Sequence, residues 1–323
     1  MIGRLGLILR LILLVLVIAE WPAVASAASN LTWTKLSPHT SPPARAAMAM
    51  TFDPIGGKIV MFGGFTATAY LNDTWTFDGI TWTKQTTPVA PSVRASACMA
   101  YDRATRQVVL FGGYNGSDYL GDTWLWDGAT WTQAHPTTSP PPVTGSMLFT
   151  DPANGRVDEF GGYDGRFYQS TTWQWTGNTW QQLNPQNSPS GRGSGALAAD
   201  HKGAAVLYGG LGDVNPLNTW VWDGSNWTQQ FPANQPSTVY FTGSAFDSRL
   251  RVAVVFGGAT GGVDSDTTWV WTKNNWILLQ PTQSPPARES LGMAYDAARG
   301  HVIVFGGVRG SQFFNDTWEL DPR

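Results

Sequence analysis

The pattern of apolar and polar positions repeats six times along the chain. Each copy has a short apolar run that ends in an aromatic residue and two glycines, followed by a Thr-Trp pair. In the first five copies another tryptophan comes seven residues after that pair. The first glycines of the doublets are 49, 49, 48, 48 and 49 residues apart. A period near 50 residues indicates the blades of a β-propeller.

Each copy predicts four short strands, which we label a to d. In the first copy they are Ala46 to Phe52, Lys58 to Phe62, Asp73 to Phe77 and Thr81 to Gln85. Strand b is apolar throughout, which is typical of a strand covered on both faces, as when sheets stack around an axis. Strand a is rich in small residues, and this suits the crowded innermost position.

The two ends of the chain predict how the ring closes. The sixth copy stops at Arg323, before a fourth strand, while an unassigned strand stands near the start of the sequence. That segment, Thr32 to Lys35, matches Thr81 to Lys84 of the first copy. We therefore expect residues 31–36 to complete the last blade, which would leave only short, protected sheet edges.

The pattern of the first residues predicts a targeting segment rather than part of the fold. Arg4 and Arg10 precede an apolar run, and small residues follow with a cleavage site after Ala27. This order is that of a secretory signal peptide over residues 1–27. An uncleaved membrane anchor is the alternative, but the run falls short of the roughly 20 apolar residues that a spanning helix needs. We expect a secreted or otherwise extracytoplasmic protein without stable membrane insertion after cleavage.

The remaining residues, 28–323, are expected to form one propeller domain. Its repeats are predicted at about 45–93, 94–142, 143–191, 192–238, 239–287 and 288–323.

These motifs resemble the kelch family of β-propellers. The family's pattern is present in Tyr101-Asp102, Tyr295-Asp296, the Gly-Gly doublets and the spaced aromatic pairs. The form Asn-Asp-Thr-Trp, at 72–75 and 315–318, is similar to that of bacterial secreted kelch proteins. The resemblance implies an all-β, six-bladed, kelch-type propeller and a distant relation to the galactose oxidase superfamily. It implies little about activity, because propellers serve as binding modules and as enzymes.

Charge and cysteine content exclude several classes of function. The net charge is −3 with a pI near 5.8, which gives no electrostatic footprint for nucleic acid. A single cysteine, Cys98, excludes an internal disulfide framework and a cysteine-rich zinc site. The copper site of galactose oxidase needs histidines, tyrosines and a cross-linked cysteine, whereas Cys98 lies in a strand between Ala97 and Met99. We predict no metal and no cofactor, and in particular no copper.

The connections between strands b and c are the predicted binding surface. They emerge on the same face as the d–a connections and differ between copies, as binding loops on a rigid scaffold do. Flat aromatic rings beside polar groups suit a glycan or a protein ligand, although they could instead pack onto neighbouring blades. The candidates are Tyr114, Tyr119, Tyr163, Tyr168 and Phe313.

Charged residues near the channel mouth are further candidates. An arginine opens strand a in four copies, at Arg45, Arg94, Arg192 and Arg288. These side chains could hold an anion bidentately, or each could make a repeated structural bond to the adjacent blade. Tyr240 and Glu289 hold the next position in copies five and six, where an enzyme would need a convergent polar cluster.

One strand breaks the repeat with two adjacent acids. Strand b of the third copy reads Val157-Asp158-Glu159-Phe160, where the other copies are apolar at both inner positions. Each carboxylate should enter a blade interface and needs a partner or a raised pKa. The alternatives are a carboxylate site, or pairing with Arg156, Arg166 or Arg192.

We predict a monomeric binding module for a protein or glycan ligand on the face of the b–c and d–a loops. The alternative is a secreted carbohydrate-active enzyme, oxidase-like or epimerase-like, with its site at the channel mouth of the same face.

Overall fold

The computed structural model describes residues 31–212, 217–237 and 240–322. The predicted signal peptide lies outside these residues. The described part contains strands, turns and loops and no α-helix. It accordingly holds no helix long and apolar enough to cross a membrane.

Six antiparallel sheets of four strands form the molecule, and in each the strands lie in the order a, b, c, d. Strand a of every blade contacts strand a of the next blade, so the six innermost strands surround a common axis. Strands b are buried at nearly every position, as their uninterrupted apolar pattern predicts. The six-bladed, kelch-type propeller expected from the sequence is confirmed.

The inner strands have the following bounds. Strands a span Ala49–Asp53, Cys98–Asp102, Met147–Thr150, Ala196–Ala199, Gly243–Asp247 and Gly292–Asp296. Strands b span Lys58–Phe62, Gln107–Phe111, Val157–Phe160, Ala205–Tyr208, Val252–Phe256 and His301–Phe305.

The outer strands are of similar length. Strands c span Thr74–Phe77, Thr123–Trp126, Thr172–Trp175, Thr219–Trp222, Thr268–Thr272 and Thr317–Pro322. Strands d span Trp82–Gln85, Trp131–Ala134, Trp180–Leu183, Trp227–Gln230, Asn275–Leu278 and Leu31–Leu36. Short antiparallel pairs of two-residue strands lie at the b–c loops of the last three blades. They are Arg192–Gly193 with Leu211–Gly212, Ala259–Thr260 with Val263–Asp264, and Val308–Arg309 with Gln312–Phe313.

The sequence-remote strand Leu31–Leu36 closes the ring. It pairs antiparallel with Thr317–Pro322 as the outermost strand of the sixth blade. Trp33 from this strand is fully buried and packs against Phe256 of the fifth blade, with ring centroids 5.1 Å apart. The predicted closure by the N-terminal strand is confirmed.

Hydrogen bonds between tryptophan and threonine join each blade to its neighbour. The indole N–H of the strand-d tryptophan donates to the hydroxyl of the first threonine in strand c of the preceding blade. All six interfaces carry this bond at 2.8–3.0 Å. The pairs are Trp82–Thr317, Trp131–Thr74, Trp180–Thr123, Trp227–Thr172, Trp276–Thr219 and Trp33–Thr268. The repeated Thr and Trp of the sequence are therefore two halves of one inter-blade contact.

A second set of bonds, which we call the axial ring, lies at the start of the strand-a segments. Its members are Ala47, Ser96, Gly145, Ser194, Phe241 and Ser290, and each donates its backbone N–H to the carbonyl of the member in the preceding blade at 2.7–2.9 Å. The five members other than glycine have φ between 51° and 57°. This left-handed backbone prevents strand a from starting at residue 46, so the first strand a begins at Ala49 rather than at Ala46 as predicted.

Candidate functional site

The b–c loops of the first three blades share one construction. They lie on the upper face, by which we mean the side of the propeller that carries the b–c loops. In the first blade, Phe65 bridges back to Ala46, three residues before strand a, and forward to Tyr70. The same double bridge places Tyr114 with Tyr119, and Tyr163 with Tyr168. Each loop therefore presents two aromatic side chains at fixed positions.

These side chains form one continuous row, which we call the aromatic arc. Neighbouring rings have centroids 4.9–6.2 Å apart, in tilted or edge-to-face geometry. Every member is half-buried, so one part of each ring packs on a neighbour while another part faces solvent. The order of the arc is Phe313, Phe65, Tyr70, Tyr114, Tyr119, Tyr163 and Tyr168.

Glycines seat the rings that cross from one blade to the next. A Cβ added at Gly116 would lie 2.8 Å from Cε2 of Tyr70, and one at Gly165 would lie 2.6 Å from Cε2 of Tyr119. Both glycines have φ near 100°, at 102° and 95°, which disfavours any other residue. The crossing rings therefore lie directly on loop backbone.

The arc ends at the third blade in a more exposed group. The ring of Phe167 is 53% exposed and lies 4.9 Å from the Arg166 guanidinium. Beside it, the carboxylate of Asp164 accepts the backbone N–H groups of Arg166 and Phe167. These bonds hold the pKa of Asp164 below its usual value. The tip of this loop is thus tied to its own backbone.

The strand-a arginines point into their own blades. In the first blade the guanidinium of Arg45 binds both carboxylate oxygens of Asp73, at 2.5 and 2.8 Å, and donates to the carbonyl of Gly63 at 3.1 Å. Burial opposes ionisation, yet the bond and charge of Arg45 lower the pKa of Asp73. Asp73 also accepts from Trp75. The partner is therefore an acid of the same blade, and not the adjacent blade's backbone as one alternative proposed.

Two other blades repeat this pairing. Arg94 binds Asp122, and Arg288 binds Asp316, each with two oxygens. The arginines of these pairs are 0–1% exposed. Their charges are consequently paired inside the blades, and the guanidinium groups do not converge at the axis.

The fourth arginine has an amide partner in place of an acid. Arg192 donates to Oδ1 of Asn218 at 2.7 Å and to the carbonyl of Gly209 at 3.2 Å. Burial lowers its pKa to about 10. It is fully buried, and so it too stands away from solvent.

The sequence held a signal for these pairs that pattern analysis missed. In the four copies in which an arginine opens the strand-a segment, the residue two positions before the strand-c tryptophan is Asp or Asn. Where Val143 or Val239 replaces the arginine, Thr171 or Thr267 stands at that position. The coupled exchange within one chain marks the two positions as partners.

Tyr240 and Glu289 hold equivalent positions in adjacent blades. Tyr240 bridges to Ala259, and Glu289 bridges to Val308. Burial and the nearby charge of Asp264 raise the pKa of Glu289. Among the described residues no ion pair joins Glu289 to Arg288 or Arg45, because both arginines bind their own aspartates. Arg288 and Arg45 are thus engaged inside their blades and do not pair with Glu289 in the cluster that the enzyme hypothesis requires.

A family model for the KLHDC2/KLHL20/DRC7 Kelch-repeats domain matches residues 24–210, which is more than half of the chain. The chain belongs to the kelch-repeat family. No curated protein matches it. Kelch propellers are in general protein-interaction modules, and the upper-face loops carry the largest set of connected aromatic side chains among the described residues.

The thiol of this kelch propeller is unsuited to reaction. Cys98 donates to the carbonyl of Ser146 in the next blade. Burial raises the pKa of its thiol to about 12, so the nucleophilic thiolate is absent at neutral pH. Within the described ranges no group of three or more His, Cys, Asp and Glu side chains could hold a metal ion.

Asp158 lies fully buried at the interface of the third and fourth blades. Its carboxylate accepts from Gln174 at 2.8 Å and from the indole of Trp222 at 3.0 Å. These partners differ from the arginines that the sequence suggested. Burial raises the pKa of Asp158 to about 7, so this group changes its charge near neutral pH.

Glu159 points to the opposite interface and is 1% exposed. Ser146 is the polar side chain beside it, yet neither carboxyl oxygen makes a hydrogen bond within the described residues. Burial raises its pKa well above the usual value. Among the described residues Glu159 thus has no ionic partner, and its burial favours the protonated form.

Proposed function

We propose that this kelch propeller is an extracytoplasmic interaction module that binds a protein partner on the aromatic arc. The observation that carries the proposal is the continuity of the arc across four blades. Seven half-exposed rings at fixed spacing offer much contact area at low cost in side-chain entropy. Tyrosine and phenylalanine are enriched in protein interfaces for this reason.

Rigidity of the arc supports the proposal. The rings brace one another across blade interfaces and rest on glycines, so little conformational freedom remains to be lost on binding. Hydroxyl groups of Tyr70, Tyr114 and Tyr119 add polar points along the row. A partner that offers both apolar and hydrogen-bonding groups matches this surface.

The upper loops carry more acids than cations, which favours a basic partner. Apart from the arginines bonded inside the blades and their aspartate partners, the charged residues of the described upper loops are the acids Asp118, Asp164, Asp264, Asp266 and Glu289 and the cations Arg166 and Arg309. Complementary charge steers encounter and selects partners more than it adds affinity. We therefore expect the partner's contacting segment to carry lysine or arginine.

The extracytoplasmic location rests on the sequence of residues 1–27. Their basic start, apolar run and small residues before Ala28 support export and cleavage. Sequencing the N-terminus of the protein recovered from the culture medium of its host would test this. We expect the secreted protein to begin at Ala28. Protein that stays in the cell and still begins at residue 1 would contradict export and cleavage.

Site-specific photo-crosslinking tests the binding face. A benzophenone amino acid placed at Tyr119, in the arc, should capture a protein from the extracellular fraction. The same probe at Ile80, which is 68% exposed on a c–d turn, should not capture that protein. Equal capture at both sites would contradict the proposal.

Variants of the arc then measure its share of the affinity. Tyr119→Ala and Tyr163→Ala should each weaken binding of the captured protein by about tenfold or more, as losses at interface anchors do. Phe231→Ala is the matched control, because Phe231 is 85% exposed and lies outside the arc. Saturable binding of a glycan that the same variants abolish, with no protein captured, would instead assign the face to a carbohydrate.

A further inference from the structure

A cavity of about 700 Å³ runs along the propeller axis. Strand a of every blade contributes to its wall, from the axial ring at the upper end to the a–b turns at the lower end. Its size falls within the range of about 300–1,000 Å³ found for sites that hold small molecules. The cavity is separate from the aromatic arc, which lies on the outer surface of the upper loops.

The axial ring narrows the upper end of this cavity. Hydrogen-bonded backbones lie about 5 Å apart, and six such steps around an axis place the backbone on a circle of about 5 Å radius. The ring member with the largest side chain, Phe241, also lines the cavity. The aromatic and charged groups of the lining lie toward the other end, and we place the entrance for a ligand at that lower face.

The middle of the cavity is apolar. At one level of strand a the wall residues are Met50, Met99, Leu148, Leu197, Ser244 and Met293, and the hydroxyl of Ser244 is bonded to the backbone of Leu197. Water in such surroundings finds few hydrogen-bond partners, so an apolar group that replaces it gains free energy.

Aromatic side chains form a collar just above the lower opening. Phe52, Tyr101, Phe246 and Tyr295 occupy the same position of strand a in four blades, and all are half-buried and line the cavity. The flat or extended apolar part of a ligand would contact this collar as it passes into the apolar middle of the cavity, which we call the chamber.

The lower mouth carries positive charge on opposite sides. Arg103 belongs to the second blade and Arg251 to the fifth, three blades apart in a ring of six. Both side chains are exposed, and neither pairs with an acidic side chain in the part of the chain that the structure describes. Arg251 donates to the carbonyl of His201 at 2.7 Å. This bond directs its guanidinium along the rim.

The described lining holds one acid, Asp200, beside the two arginines, so positive charge is in excess. Asp200 is 3% exposed, and one of its oxygens accepts the N–H groups of Lys202 and Ala204. His201 has its pKa lowered by burial, with neighbouring cations adding to the effect. Its Nδ1 is buried and has no hydrogen-bond partner within the described ranges.

We propose that the axial cavity binds a small organic anion with an apolar body, entering from the lower face. The anionic group, a carboxylate or sulfonate, lies at the lower mouth, where Arg103 and Arg251 supply positive charge. The apolar body passes the aromatic collar and fills the chamber between the methionines. Arginine gives charge-assisted, bidentate bonds to such groups, and burial of the body supplies the remaining affinity.

Calorimetric titration with 2-naphthoate tests the proposal, with 2-naphthylmethanol as the uncharged counterpart. We expect saturable binding of one naphthoate per chain, and about tenfold weaker binding of the alcohol. Arg103→Gln and Arg251→Gln should each weaken naphthoate binding by about tenfold. Arg106→Gln should not, although Arg106 lies on the same turn as Arg103, because it is outside the lining.

The methionine methyl groups report where the ligand lies. In protein labelled at these methyls, the NMR signals of Met50, Met99 and Met293 should shift on naphthoate binding, since an aromatic ring shifts nearby protons. The variant Tyr119→Ala should leave these shifts unchanged, which separates this site from the aromatic arc. No saturable binding, equal binding of the alcohol, or equal loss in Arg106→Gln would overturn the proposal.

Discussion

Single buried acids set the pH response of this molecule. The third blade carries Asp158 and Glu159 where other blades carry apolar residues. Asp158 accepts hydrogen bonds from Gln174 and Trp222, whereas the carboxyl oxygens of Glu159 accept none within the described residues. Both are easier to bury when protonated. Their effect on folding is therefore a function of pH and not a fixed quantity.

The charge state of Asp158 predicts a loss of stability as the pH rises. An unperturbed aspartate has a pKa of 3.8, whereas the pKa of Asp158 is about 7 in the folded protein, so the unfolded chain releases the proton first. From pH 5 to pH 8 this acid should lower the free energy of unfolding by about 3 kcal/mol. Chemical denaturation at the two pH values measures the change.

Asp158→Asn should remove most of this dependence, because the amide does not titrate. Glu159→Gln should likewise raise the stability at pH 8 relative to the parent. An unaltered pH profile in both variants would show that neither acid is protonated in the folded state.

The axial ring predicts opposite effects for two small substitutions. Gly145 has φ of 64°, and a Cβ there would collide with Oγ of Ser194. Gly145→Ala should therefore destabilise the fold by about 1–2 kcal/mol. Ala47 already bears a Cβ at φ of 54°. Ala47→Gly should be neutral or slightly stabilising, and thermal unfolding of both variants gives the comparison.

At the scale of elements, the closing strand should be held as firmly as its equivalents. Trp33 bonds Thr268, and Trp131 makes the same bond to Thr74 from a strand in the middle of the chain. Trp33→Phe and Trp131→Phe should each cost about 1–2 kcal/mol through the buried hydroxyl left unpaired. A much smaller cost for Trp33→Phe, measured by denaturant unfolding, would show that the closing strand frays.

The number of blades, the strand order within each repeat and the closure could be predicted because period and strand chemistry are local features of the sequence. The upper ends of strands a were misplaced. Residues such as Ala47 and Ser96 look like strand formers, yet they bond the neighbouring blade in a left-handed conformation. The left-handed conformation is needed because six strands meet at one axis. The sequence of a single repeat does not indicate this arrangement.

The candidate site was predicted in part for similar reasons. The aromatic positions of the upper loops, such as Tyr114 and Tyr163, were visible in the sequence. Their edge-to-face contacts depend on the angle between blades and were not. The arginines could have been placed correctly, because Asp73 changes with Arg45 from copy to copy.

At the scale of the whole molecule, the ring makes every blade depend on two neighbours. Removing residues 1–36 would delete the outer strand of the sixth blade together with the bond from Trp33 to Thr268. We expect a clear fall in the melting temperature, since the sheet edge of Thr317–Pro322 would be exposed.

Addition of a synthetic peptide of residues 28–38 should restore part of the lost melting temperature in a concentration-dependent way, as any ligand of the native state does. A scrambled peptide of the same composition is the control. A truncated protein that melts like the parent would contradict the role of the closing strand.

The pairing of the closing strand also sets how the propeller responds to a pulling force. Leu31 lies opposite Pro322, and Leu36 lies opposite Thr317. Tension between residues 31 and 322 would act at one end of this strand pair, across hydrogen bonds that run perpendicular to the strands. The bonds would be loaded one at a time, as in a zipper, and not all together as in shear. The closed ring would thus open at low force when the protein is held by its two ends.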